Sequence, residues 1–171
     1  MPPDEQAHHS ALAVYHTGVT VSSLDRSLAF YRDLLGFEIV GTRTAREPYI
    51  QRLVDAPGAT LQIALLRVPG SPHLLELLEY VGVERREAAA RPRDPAAAHL
   101  CLFVRDLAGL YSRLQAAGRA VLSEPQTATA GRNAGASIVY VRDPDGFWVE
   151  LMEDPKYSPG DAASGAGGNA R

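Results

Sequence analysis

The chain of 171 residues holds one cysteine, one tryptophan, two methionines and one lysine. With Cys101 alone there is no intrachain disulfide, so the fold is expected to rest on its apolar core in a reducing compartment. No apolar run approaches the ~18 residues that cross a bilayer, and no charged-then-apolar leader opens the chain, so a cytoplasmic protein is expected. A surplus of positive charge is also missing. Seventeen Lys and Arg against twenty Asp and Glu leave a formal charge of −3. That balance gives no electrostatic case for nucleic acid or an anionic membrane as a partner. What the chain does have is 46% hydrophobic residues, enough for one domain or two small modules sharing a core.

Three stretches lack large aliphatic residues. Residues 1–11, with Pro2 and Pro3, and residues 155–171, rich in glycine, read as disordered tails. His8 and His9 fall in the first and are given no role. Residues 84–97 read as a linker broken by Pro92 and Pro95, with Arg85, Arg86, Arg91 and Arg93 solvated on it. The linker separates a first module, residues 12–83, from a second, residues 98–154.

The two modules repeat one pattern. Each opens with a histidine on a short apolar strand, His16 or His99. An amphipathic helix follows, marked by Leu28, Tyr31 and Leu35 in one and by Leu107, Leu110, Tyr111 and Leu114 in the other. Asp25 and Asp106 stand at the helix starts as N-cap or first-turn acids, and Gly36 and Gly118 at the ends as left-handed C-caps. Each module closes on a strand bearing a glutamate, Glu76 or Glu150, which lies 60 or 51 residues after its histidine. A doubled βαβββ unit is predicted, an α+β fold, with an inserted helix-like segment in the first copy.

The closing strands pose a problem of burial. Alternation sets Leu74, Glu76 and Leu78 on one face, and Trp148, Glu150 and Met152 on one face of the other strand. A carboxylate in such apolar company costs several kcal/mol without a partner. His16 and His99 supply partners if each opening strand lies beside its closing strand. Two modules brought together then converge two imidazoles and two carboxylates on one divalent cation. Taken singly, each residue also suits a structural role in a core or an arginine pair; four in register carry the metal reading.

The segments YHTGVTVSSLDRSLAFYRDLLGFE, LLELLEY, AHLCLFVRDL and VRDPDGFWVELME, spread over Val14–Glu153, resemble the vicinal oxygen chelate superfamily. That group includes glyoxalase I, methylmalonyl-CoA epimerase, bleomycin-resistance proteins and extradiol dioxygenases. The resemblance implies an open β-barrel-like metal cleft with helices on the outside. It also implies one divalent ion per site (Zn, Ni, Co or Mn) held by His16, Glu76, His99 and Glu150, a small-molecule substrate, and a homodimer. A His-Glu-His-Glu set is similar to that of glyoxalase I and close to that of the CoA epimerase. It therefore implies an isomerase or epimerase that moves a proton next to a metal-bound carbonyl through an enediolate, on a hydroxyketone or sugar-like metabolite. Glu76 and Glu150 are both candidate acid/base groups, Glu150 the favoured base because Trp148 and Met152 surround it.

The alternatives are a glyoxalase I-like lyase, a methylmalonyl-CoA epimerase, an extradiol dioxygenase and a drug-binding resistance protein. Gly18, Val19 and Thr20 stand where a glutathione-binding arginine is expected, and Glu47 is the one weak match to the further acid of the CoA epimerase. For the substrate pocket, parity offers Trp148, Met152, Phe103, Leu74 and Leu78 as an apolar lining, with room over Gly18. The polar segment Ser123–Ser137 reads equally as a plain surface loop or as a lid that presents Arg132 and Asn133. Tyr49 and Gln51 are placed to act from the opposite side. His73 has the wrong parity for the site, and Cys101 reads as a small core residue.

Overall fold

The computed structural model describes residues 13–68, 70–86 and 90–157. The first module runs β1 (His16–Val21), α1 (Leu24–Leu28), β2 (Glu38–Ala45), α2 (Pro48–Leu53), β3 (Thr60–Arg67) and β4 (Leu74–Val81). The second runs β5 (His99–Phe103), α3 (Leu107–Ala116), β6 (Gln126–Thr127), β7 (Ser137–Arg142) and β8 (Trp148–Glu153). Two four-stranded mixed sheets result, in the orders β1-β4-β3-β2 and β5-β8-β7-β6. In each the opening strand pairs in parallel with the closing one, and the remaining pairs are antiparallel. The doubled βαβββ pattern is thus an open α+β architecture.

Helix starts are secured by the same device twice. Glu79 accepts from the Leu24 N–H at 2.8 Å, and Glu153 accepts from the Asp106 and Leu107 N–H groups at 3.1 Å each. Both glutamates follow a site glutamate by three positions, so they point to the opposite sheet face and satisfy donors that helix starts leave unpaired. Ser23, not Asp25, is the N-cap of α1, with Asp25 in its first turn; Asp106 caps α3 by accepting from Gly109. The first helix does not continue regularly. It passes into a π-helical stretch over Ala29–Leu34, which buries Phe30 and Tyr31 together. Gly36 and Gly118 close the two helices at φ of 79° and 67°, values that favour glycine.

One hydrophobic core joins the modules. Val19, Val21, Leu66, Leu75 and Leu77 from the first sheet meet Leu102, Val139, Val141, Val149 and Leu151 from the second, with Phe30, Tyr31, Leu107, Leu110 and Leu114 from the helices. These positions alternate with His16, Gly18, Glu76, His99, Cys101, Tyr140 and Glu150. Both faces that carry a histidine and a glutamate are therefore turned away from the core that the modules share.

The turn Asp143–Gly146 reinforces this joint. Buried Asp143 accepts from the Tyr31 hydroxyl at 3.0 Å and from the Asp145 and Phe147 N–H groups, while Asp145 accepts from the Ser22 N–H and from Arg26. Burial raises both the Asp143 carboxyl and the Tyr31 phenol above their ordinary values. A second, smaller core of Ala45, Ile50, Ala59 and Leu61 fastens α2, with Ile63, Leu78 and Tyr80 packed against it. Leu61, Ile63, Leu78 and Tyr80 share the face of Glu76, so α2 stands as a wall at one end of that face.

Residues 1–12 and 158–171, which include His8, His9 and most of both expected tails, lie outside the described residues. Disorder from Pro155 onward is corrected over three positions: the fold continues to Tyr157, whose ring stacks on Phe103 at 3.9 Å and 11°. No helix among the described residues is long and apolar enough to cross a membrane.

Candidate metal centre

Register brings each histidine to its glutamate. In the first sheet His16 lies opposite Leu74 and Gly18 opposite Glu76, and the His16 Nε2 stands 3.4 Å from Glu76 Oε2. In the second, His99 lies opposite Trp148 and Cys101 opposite Glu150, and His99 Nε2 stands 3.1 Å from Glu150 Oε2. Two ligand atoms each ~2.0–2.2 Å from one ion, at angles near 90–110°, lie roughly 2.9–3.5 Å apart. Both pairs have that spacing, and imidazole with carboxylate is a donor set for a borderline divalent ion. The residues fit such an ion in halves.

The halves do not meet within one chain. Among the described residues no group of three or more His, Cys, Asp or Glu side chains gathers to hold a metal. Within the single chain the four residues thus stand as two separate pairs. The physical reason is the shared core, which turns both pair-bearing faces outward.

The environments of the pairs differ. Glu150 is the more enclosed carboxylate, its side chain 13% exposed against 23% for Glu76. The Tyr140 hydroxyl donates to Glu150 Oε2 at 2.9 Å and lies 3.5 Å from His99 Nε2, and its ring meets His99 edge-on. Burial first, and then Glu150, push the Tyr140 phenol up to about 12. Tyr140 was not singled out from the sequence. Folding the chain back at Asp143–Gly146 finds it, because that turn sets residue 140 opposite residue 150. At the other pair, Glu76 faces Leu65 across the strands. A Cβ built on Gly18 meets Leu78 at 3.5 Å and Glu76 Oε2 at 4.0 Å, ordinary contact distances, so the glycine leaves a narrow gap beside that carboxylate.

The expected pocket residues divide. Leu74, Trp148 and Met152 are buried beside the ligands, and Leu78 is half-buried against α2. The Trp148 indole donates to the Ala90 carbonyl, and Arg142 lies over its ring at 4.4 Å, an arginine on the site face that parity had not flagged. Phe103 is 46% exposed on the edge strand β5. Cys101 is exposed too, its sulfur partly sheltered, which corrects its assignment to the core: it lies on the edge strand β5, on the face of His99 and away from the shared core. Burial of the sulfur, then Glu150, push its thiol up to about 12, away from nucleophilic use.

Arg132 is exposed and Asn133 half-buried in the turns after β6; among the described residues Glu150 takes its hydrogen bond from Tyr140, not from them. Tyr49 is 54% exposed on α2, while Gln51 is structural, bonded to Gly58 and Ala59. Glu47 pairs with Arg43. His73 bonds Thr17 on the face away from Glu76, in keeping with its parity.

Comparison with known proteins agrees with this fold. Residues 13–151 match the family model described as the glyoxalase/bleomycin resistance protein/dioxygenase superfamily. The chain is 36% identical, over 87% of its length and 83% of the relative's, to a 2-epi-5-epi-valiolone epimerase of Actinomyces sp. It is 29% identical to a lactoylglutathione lyase of Pseudomonas putida, over 81% of this chain and 83% of that one. The crystal structure of a glyoxalase family protein from Bacillus cereus superposes with a TM-score of 0.74, covering 86% of this chain and 97% of that one at 18% identity.

Proposed function

From the premise that this chain belongs to the glyoxalase/bleomycin resistance protein/dioxygenase superfamily and is an enzyme of its epimerase or lyase kind, we propose that it epimerises a carbon next to the carbonyl of a polyhydroxy ketone of the valiolone type. The observation that carries the reading is the repeated His–Glu pair, set at ligand spacing on equivalent strands of both sheets. The epimerase relative at 36% identity points to the substrate class. Thr17, Gly18, Val19 and Thr20 after the first histidine carry no cation for a glutathione carboxylate.

The working site is proposed to form between two copies. Each protomer turns one pair outward on each sheet. A twofold arrangement that sets the first sheet's site face on the partner's second sheet completes two identical quartets. Exposed Val14, Tyr15 and Phe103 beside the edge strands β1 and β5 suit such burial. His16 and Glu76 of one protomer, with His99 and Glu150 of its partner, would hold a Zn, Ni, Co or Mn ion. Bound there, the ion supplies Lewis-acid polarisation of the substrate carbonyl.

The protein's own groups do the rest. Leu74, Leu78, Trp148 and Met152 exclude water from the reacting carbon. Gly18, with no side chain, lets a substrate approach Glu76 from the side of β1. A glutamate takes the proton from the carbon next to the carbonyl, and return of a proton to the opposite face inverts the centre.

The test is proton NMR of the metal-analysed protein with a valiolone-type ketone in deuterium oxide. Deuterium entering next to the carbonyl, with both epimers appearing, is expected. Turnover of the methylglyoxal–glutathione adduct without exchange into ketones would make it a lyase instead. Oxygen uptake with a catechol would place it among the dioxygenases, and binding without exchange would make it a sequestering protein.

A further inference from the structure

The duplicated halves keep the same ligands but differ in the residue directly across from each carboxylate. Opposite Glu150 on β7 stands Tyr140; opposite Glu76 on β3 stands Leu65. The Tyr140 hydroxyl donates to Glu150 at 2.9 Å, and its ring meets His99 at a centroid separation of 5.3 Å. One side chain therefore braces both members of the second pair. Leu65 has no polar atom to offer Glu76, which keeps His16 as its polar contact and the space over Gly18 beside it.

We infer that Tyr140 is a positioning residue that orients Glu150 and His99 toward the shared ion, a brace that Leu65 does not give Glu76. The inference rests on the shared-ion reading above. A carboxylate held by a phenol must break that bond to move, whereas Leu65 offers Glu76 no such tether across the strands. Partners that orient ligands in this way are typically worth 10–100-fold in metal affinity.

The experiment titrates Co2+ into the full-length metal-free protein and its variants, reading the dissociation constant and the visible absorption bands. Tyr140→Phe keeps the ring and removes the donor. It is expected to weaken Co2+ binding at least about tenfold and to shift the bands, with the melting temperature of the metal-free protein unchanged. Glu150→Gln is expected to weaken binding more than Glu76→Gln. Adding Tyr140→Phe to Glu150→Gln should cost nothing further, while adding it to Glu76→Gln should cost its full amount.

Wild-type affinity and bands in Tyr140→Phe, or equal additivity in both double variants, overturn the role of Tyr140. A matching fall in the metal-free melting temperature overturns it as well, by assigning Tyr140 to packing. If the wild-type protein itself binds no Co2+, the shared-ion reading fails and this inference falls with it.

Discussion

The first His–Glu pair and the second differ less in their ligands than in everything around them. Glu76 sits beside an open glycine, opposite a leucine, with the short helix α2 as a wall. Glu150 sits more deeply, bonded to a tyrosine and flanked by a tryptophan that Arg142 covers. The features that stayed alike are those that the scaffold needs: a parallel pair of opening and closing strands, and a second glutamate three residues on that holds a helix start. A duplicated frame can thus keep its His–Glu pairs while the surroundings of the two diverge.

The largest effect should come from breaking either half of the proposed quartet. His99→Ala and His16→Ala should each lower metal affinity by more than about a hundredfold, beyond the range of outer partners, as measured by calorimetry with Zn2+. Full metal occupancy in one of them would show that the halves do not share an ion. Removing the ion from the wild type comes next. At metal a hundredfold above its dissociation constant the bound form gains about 2.7 kcal/mol, so chelation should lower the melting temperature by roughly 5–10 °C. An unchanged melting temperature with metal loss verified would detach the site from stability.

The two helix-start glutamates sharpen the comparison on a smaller scale. Glu153 receives two backbone N–H groups and Glu79 one. Glu153→Ala should therefore destabilise by about 1–2 kcal/mol and Glu79→Ala by less, on urea unfolding. The reverse order would mean that the two caps are not equivalent parts of the repeat.

The smallest effect concerns the joint between modules. The Tyr31 phenol is held above its ordinary value of about 10 by burial and by Asp143. The folded state thus keeps a proton that the unfolded state gives up. Its stabilisation is complete below pH ~10 and falls above it, by up to about 1.4 kcal/mol per pH unit for this one group. Tyr31→Phe should cost about 1 kcal/mol at neutral pH and flatten the alkaline decline. An identical decline in that variant would assign it to other groups.

Much of this was legible from residue order. Strand alternation told which face Glu76 and Glu150 would share with Leu74, Leu78, Trp148 and Met152, because period two is rigid geometry. The capping glycines Gly36 and Gly118 marked where the helices stop. What escaped depended on distance in sequence or on contacts between elements. Tyr140 matters only through the register of a hairpin. The π-helical stretch reflects the demand to bury Phe30 and Tyr31 at once, not any local preference. That each site face would look away from the common core follows from how the modules pack on their helices, and no periodicity within one module reports that.

The parallel pairing of β1 with β4, and of β5 with β8, bears on how the chain acquires its shape during synthesis. As it leaves the ribosome, β1 has no partner until β2, α2 and β3 have been made, and α1 is a five-residue helix whose capping carboxylate arrives on that same late strand. Such a helix does not hold alone, and closing distant strands before any local reward slows collapse. Neither half has a stable stopping point short of its final strand. Each glutamate-bearing strand therefore acts as a latch that completes a sheet, a helix start and half a ligand set in a single late event, so a chain stalled before it is the species most exposed to proteases and misassembly.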